Sequence, residues 1–162
     1  MDNIETLKFK DFGLDKTNLE ILKEIESTNS VAIHIRRGDY FKAELQRKYG
    51  NIATDEYYKS AVEEIDKRVT TPKYFVFSND IDWCKKNMNW GNVVFVDGNH
   101  GEKSPIDMFL MSKCKHNIIA NSSFSYWGAM LNKNADKIVV YPSVWDNDKT
   151  PDIFPSNWIG LK

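Results

Sequence analysis

The strongest constraint on the fold is a recurring alternation. Short apolar runs rich in Val, Ile and Phe occur at residues 30–35, 74–77, 93–96, 117–120 and 138–141, with no hairpin turn between neighbours. Segments of helical spacing fill the gaps instead. Leu19, Leu22 and Ile25, with Ile21 beside them, mark a helix face ahead of the first run, with Thr17 or Asn18 as its cap. A long polar connection then reaches Asn51. Thr54-Asp55 caps a helix whose face is Tyr58, Ala61, Val62, Ile65 and Val69, and Thr71-Pro72 stops it. Ser78-Asn79-Asp80 caps a short helix through Met88. Ser104-Pro105-Ile106-Asp107 puts Ser at the N-cap, Pro at N1 and Asp at N3 of a helix over residues 105–113. Asn121-Ser122-Ser123 opens another over residues 124–131.

Buried strands joined by helices pair in parallel, because each helical crossover returns the chain to the same end of the sheet. The pattern predicts an α/β fold, a Rossmann-like parallel sheet of about five strands flanked by helices. Residues 1–29 form an irregular lead and a helix, and residues 30–162 form the main body of a single domain. The tail from Pro142, with two tryptophans, packs against it.

Charge and cysteine content narrow the function. Lys and Arg number 22 against 23 Asp and Glu, a net charge of −1, so nothing electrostatic favours nucleic acid. An anion site in such a chain has to be local. Aromatic residues at 13%, with five Trp, suit a dense core or a sugar-contacting surface, and the core reading carries more weight. Cys84 and Cys114 lie in helix-like apolar patterns, as reduced core residues do. No basic leader precedes an apolar run at the N-terminus, and no apolar stretch approaches the ~20 residues of a membrane span. These features predict a soluble cytoplasmic protein that is not transmembrane.

The first apolar run leads into the candidate site. Val31-Ala32-Ile33-His34-Ile35 ends in Arg36-Arg37-Gly38-Asp39-Tyr40, two guanidinium groups and a flexible turn at a strand's carboxyl end. In open α/β sheets ligands lie outside those ends. The arginines read equally well as a bidentate phosphate clamp or as surface groups paired with neighbouring acids. His34, one side chain earlier, gains functional weight from that position, although a lone histidine in a strand is more often a satisfied core residue. Asn121-Ser122-Ser123, before a helix, offers either plain capping or an anion site of free N–H groups and hydroxyls. Two such sites at one sheet edge would fit a diphosphate.

Other patterns carry less. Asp80-Ile81-Asp82 has the form of an acidic metal pair, yet an Asp before a helix is better explained as a cap. No His/Cys cluster supports a metal. Arg37-Gly38-Asp39 reads as an adhesion tripeptide and Asn121-Ser122-Ser123 as a glycosylation sequon, both coincidental in a cytoplasmic chain. Neither a glycine-rich dinucleotide fingerprint nor a Walker loop is present.

Three blocks together resemble the bacterial α-1,2-fucosyltransferases of glycosyltransferase family 11. They are His34-Ile35-Arg36-Arg37-Gly38-Asp39-Tyr40, Phe75-Val76-Phe77-Ser78-Asn79-Asp80, and residues 107–131, which include Asp107-Met108-Phe109 and Asn121-Ser122-Ser123-Phe124-Ser125-Tyr126-Trp127-Gly128. Tyr126 stands where a tryptophan is frequent in the family. The resemblance covers about residues 30–160 and implies the nucleotide-sugar-binding half of a GT-B glycosyltransferase, with GDP-β-L-fucose as donor, a galactose-terminated glycan as acceptor, inversion at the anomeric carbon, and no metal or other cofactor. By motif, Arg36 would hold the β-phosphate and Arg37 would support it. His34 and Asp107 would contact the guanosine, and Ser122 and Ser123 the diphosphate. Arg36 and Asp39 are the catalytic candidates, and Glu44 is a second acid near the clamp for the general base. Family members are usually nearly twice as long, with an N-terminal half ahead of the first block. Two readings follow: an enzyme, or a GDP-sugar-binding module that lacks its other half. Either would bind GDP-fucose, and a separate N-terminal half or a second copy of the chain would be the protein partner.

Overall fold

The computed structural model describes residues 7–37 and 42–162. In chain order the elements are α1 (Lys16–Ser27), β1 (Asn29–Ile35), α2 (Ala43–Tyr49), α3 (Asp55–Asp66), β2 (Pro72–Ser78), α4 (Ile81–Asn87), β3 (Val93–Phe95), a 3₁₀ turn (Gly101–Lys103), α5 (Ser104–Lys113), β4 (His116–Ile118), α6 (Ser123–Met130), β5 (Val139–Pro142) and β6 (Ile159–Leu161). The strands form one six-stranded sheet in the order β3-β2-β1-β4-β5-β6, and every neighbouring pair is parallel. This is a Rossmann-like sheet. From β1 the chain steps outward through β2 and β3, then returns to the other side of β1 with β4. The order therefore reverses between β1 and β4, and the crevice outside their carboxyl ends is where such sheets bind ligands.

Side-chain alternation along the strands sends each face to a different set of helices. Val31, Ile33, Ile35, Tyr74 and Val76 pack with Tyr57, Tyr58, Ala61 and Ile65 of α3 and with Ile81 and Cys84 of α4. Ala32, Phe75 and Phe77 face the other way, onto Ile25 of α1 and Leu110 and Met111 of α5. Fully buried Phe75 and Phe77 each contribute roughly 1.5–3 kcal/mol of apolar burial. The α5–α6 approach is close: a Cβ on Gly128 would sit 2.9 Å from Cε of Met111. A third cluster joins Ile119, Tyr126 and Ala129 and, from β5, Val139 and Tyr141 to Trp145, Phe154 and Trp158 of the tail. Cys84 and Cys114 are both buried free thiols. Among the described residues, no helix is long and apolar enough to cross a membrane.

Several local expectations are corrected. The sheet has a sixth strand, β6, formed by the tail alongside β5. The polar connection after β1 contains α2, which buries none of its residues and so shows no apolar stripe. The cap of α1 is Asp15, whose carboxylate accepts from the Asn18 backbone N–H. Its inward stripe is Asn18, Ile21, Leu22 and Ile25, which leaves Leu19 half exposed. Ser104 does not cap α5: the preceding 3₁₀ turn already carries the chain into helical geometry, so Ser104 is the first helical residue.

Candidate functional site

Phenolic and amide groups from neighbouring elements hold the end of β1. Tyr58 of α3 donates its hydroxyl to the His34 carbonyl at 2.9 Å. Just beyond β2, the Asn79 side chain accepts from the Arg37 N–H at 2.9 Å, so the second sequence block positions the turn that leaves the first.

The two arginines lie in different surroundings. Arg37 turns toward α4, with its guanidinium carbon 3.6 Å from the centre of the Trp83 ring and its Nε 3.6 Å from a carboxylate oxygen of Asp80. Asp80 also caps α4 by accepting from the Trp83 N–H at 3.3 Å, so the capping reading of Asp80 holds. Asp82 lies exposed in the first turn of α4. Arg36 is half-buried, and its positive charge acts on His34.

His34 points to the α5–α6 side of the sheet. It is 3% exposed, and its ring lies 5.4 Å from Phe124 in the first turn of α6. Burial, then the Arg36 charge, push its pKa down to about 3, so the imidazole is neutral throughout the physiological range. Its Nδ1 is buried and has no hydrogen-bond partner among the described residues. Such an atom costs stability unless a ligand or solvent completes it.

The N-terminus of α6 adjoins this histidine. Ser122 is the N-cap residue, yet its side chain makes no capping hydrogen bond. Ser125 supplies the local fastening instead, its hydroxyl accepting from the Ala120 N–H at 3.0 Å. The hydroxyl of Ser122, exposed Ser123 and the first-turn N–H groups form a positive dipole end suited to an anion.

Asp107 sits in the first turn of α5, half-buried. Asn99 donates to it at 2.9 Å, and Asn99 itself exchanges hydrogen bonds with Asn18 at 2.8 and 3.0 Å. Burial raises the Asp107 pKa to about 7 against the opposing Asn99 hydrogen bond. Near neutral pH this carboxyl is an acceptor that gains from further N–H donors.

His34, Asp107 and the Ser122-Ser123 turn thus belong to elements on one side of the crevice, and Arg37 to the other. The model of glycosyl transferase family 11 matches residues 11–162. The chain belongs to glycosyl transferase family 11.

An O-antigen biosynthesis glycosyltransferase of Escherichia coli, WbnK, is 41% identical over 149 residues, which are 89% of this chain and 49% of the relative. An alpha-1,2-colitosyltransferase of Escherichia coli is 38% identical over 151 residues, 88% of this chain and 51% of the relative. Galactoside alpha-(1,2)-fucosyltransferase 1 of Saimiri boliviensis boliviensis is 36% identical over 139 residues, 81% of this chain and 38% of the relative. The chain therefore spans about half the length of the curated relatives it matches. Among solved structures, fucosyltransferase NodZ from Bradyrhizobium overlaps 69% of this chain and 39% of its own, at 17% identity and a TM-score of 0.48.

Other sequence candidates fall differently. Asp39 lies outside the described residues. Glu44 is exposed in the first turn of α2. Sequence reasoning did not single out Trp83, although its place four residues after Asn79 in a capped helix puts it beside the Arg37 turn. It also passed over Asn99 and took Asn18 only as a candidate cap, since their pairing across 81 positions leaves no local signal. Asn121 was named only as part of the anion turn. Its Nδ2 donates to the carbonyls of Tyr49 and Trp145, both at 3.1 Å, and so ties α2 and the tail to the start of α6.

Proposed function

We propose that this chain is the donor-binding half of a GT-B fucosyltransferase, holding GDP-β-L-fucose at the carboxyl ends of β1 and β4 for transfer to a galactose-terminated glycan. One observation carries the donor site: the buried Nδ1 of His34, without a hydrogen-bond partner among the described residues, beside an α6 N-terminus whose Ser122 side chain makes no capping hydrogen bond. In this reading Arg36 takes the β-phosphate, Ser122, Ser123 and the α6 amides take the diphosphate, and His34 and Asp107 take the guanosine. Arg37, engaged with Asp80 and Trp83, braces the turn that carries Arg36.

The chemistry follows from charge. Breaking the fucose–phosphate bond leaves negative charge on departing GDP and positive charge on the sugar. A fixed guanidinium and a helix N-terminus stabilise the leaving group without reorganising, and protein groups alone then suffice, with no metal required. The acceptor hydroxyl attacks from the opposite face, which inverts the anomeric carbon, and its proton passes to an acidic side chain, for which Asp39 and Glu44 are the candidates. The second reading is a GDP-sugar-binding module without transfer.

Thermal-shift titrations with GDP, GDP-fucose, UDP and ADP test the donor site. Stabilisation by the guanosine compounds alone is expected; equal stabilisation by UDP or ADP, or none by GDP, contradicts the reading. GDP release on adding lactose with GDP-fucose then separates the enzyme from the binding module. The colitosyltransferase relative makes a GDP-colitose arm a useful control on the sugar.

A further inference from the structure

A cavity of about 470 Å³ opens on the other side of the β1 end, between α2, α3 and α4, and Arg36 and Arg37 form one wall of it. Its volume falls within the ~300–1,000 Å³ typical of small-molecule sites. The remaining lining is mixed, with Asp55 and Lys59 adding one charge of each sign to neutral and apolar groups. Trp90 supplies a flat indole surface, Trp83 a second one of which one face carries the Arg37 guanidinium, and Gln46, Asn51 and Asn87 supply neutral amides. Trp83 and Trp90 are half-buried against the core, which fixes their planes.

We propose that this cavity is the acceptor-sugar site. A pyranose presents a flat face of C–H groups and a rim of hydroxyls, each both donor and acceptor. Indole faces match the first, and side-chain amides, which also donate and accept, match the second. In the wall, Arg37 is committed to Asp80 and Trp83 and Arg36 takes the donor β-phosphate in the reading above, so the indoles and amides beyond them are what the cavity offers a neutral sugar.

The assignment rests on the donor reading above and extends it. Transfer requires the attacking hydroxyl beside the anomeric carbon, and the two sites share the Arg36-Arg37 turn. They share a second element as well. Asn121 fastens the Tyr49 carbonyl at the end of α2, a wall of the cavity, to the turn that opens α6. Asn147 holds the same wall from the tail, donating to the carbonyls of Arg47 at 2.8 Å and Gly50 at 3.2 Å.

The test follows the indole N–H signals of the 162-residue chain by ¹H–¹⁵N NMR while methyl β-D-galactoside is added with GDP present. The galactoside is expected to shift the Trp83 and Trp90 signals. Trp90→Leu and Gln46→Ala should each weaken galactoside binding about tenfold, equivalent to ~1.4 kcal/mol, while GDP binds as before. Gln46 is exposed on α2, so its variant remains informative if Trp90→Leu fails to fold. Galactoside that shifts neither indole, in a protein that binds GDP, overturns the cavity assignment alone. GDP that itself shifts the indoles and weakens in Trp90→Leu also overturns it, since the cavity then takes the nucleotide. Galactoside binding without any GDP binding supports the cavity and overturns the donor reading instead.

Discussion

His34 and His116 are buried histidines on adjacent strands, and the contrast between them separates the two ends of the sheet. His116, at the amino end of β4, uses its Nδ1 to accept from the Ile138 N–H at 3.0 Å. The polar side chains around it are saturated in the same way. Asn117 donates to the Met111 carbonyl at 3.0 Å. Asn132 donates to the Cys114 carbonyl at 2.8 Å and to the Asn117 side chain at 2.7 Å. Lys137 spans the carbonyls of Ala129 and Asn132 at 3.0 and 2.6 Å. This cluster fastens β4, β5 and the end of α6. His34, near the carboxyl end of β1, is more deeply buried, yet its Nδ1 has no such partner among the described residues. A saturated polar cluster stiffens a fold, whereas an incomplete one at a strand's carboxyl end costs stability in the free protein and recovers it when a ligand supplies the missing bond.

The sharpest break in this contrast comes from the charge next to His34. Arg36→Ala should lower fucosyl transfer about 10²–10³-fold by removing a preorganised charge at the leaving group. Turnover measured as GDP release checks it, and near-normal turnover would sink the role of Arg36. Exchanging the histidines for phenylalanine comes next. His116→Phe strips the Ile138 N–H of its acceptor and should cost about 1–3 kcal/mol in urea unfolding, with GDP affinity retained. His34→Phe removes an incomplete polar atom, so stability should hold within ~1 kcal/mol or rise, while GDP affinity falls. Equal behaviour of the two variants would erase the distinction.

Asp107 adds a pH signature. Its folded pKa of about 7 lies above the ~3.9 of an unfolded Asp, so the folded protein takes up the proton more readily. Its contribution to stability is therefore fully present below about pH 4 and is lost as pH rises through about 7. Asp107→Asn should flatten that slope in denaturation curves measured across the window. If the guanosine base donates to the ionised carboxyl, binding releases a proton, and GDP affinity should weaken as pH falls below about 7. The smallest effect belongs to the Arg37 side of the crevice. Asp80→Asn keeps a good cap and loses only a partly exposed ion pair, so unfolding should change by less than ~1 kcal/mol.

Much of this was legible in the chain. The five main strands, the Thr54 and Asp80 caps and the parallel pairing follow from apolar runs and start signals that act locally. The sixth strand was not, because its three residues become a strand only by pairing with β5. Helix α2 was missed for the opposite reason: with no buried residue, it leaves no periodic trace. The sequence also named both arginines without revealing that Arg37 is engaged by Trp83 and Asp80, more than 40 residues later. The Asn18–Asn99–Asp107 chain joins three separate segments and sets the carboxyl's environment from a distance.

The most direct test of the central claim is ¹⁵N-histidine NMR of the ring nitrogens during a GDP titration. GDP completing a site at the carboxyl ends of β1 and β4 should move the His34 resonances and leave those of His116 in place, with UDP and ADP moving neither. His34 resonances that stay fixed while GDP binds would contradict the account.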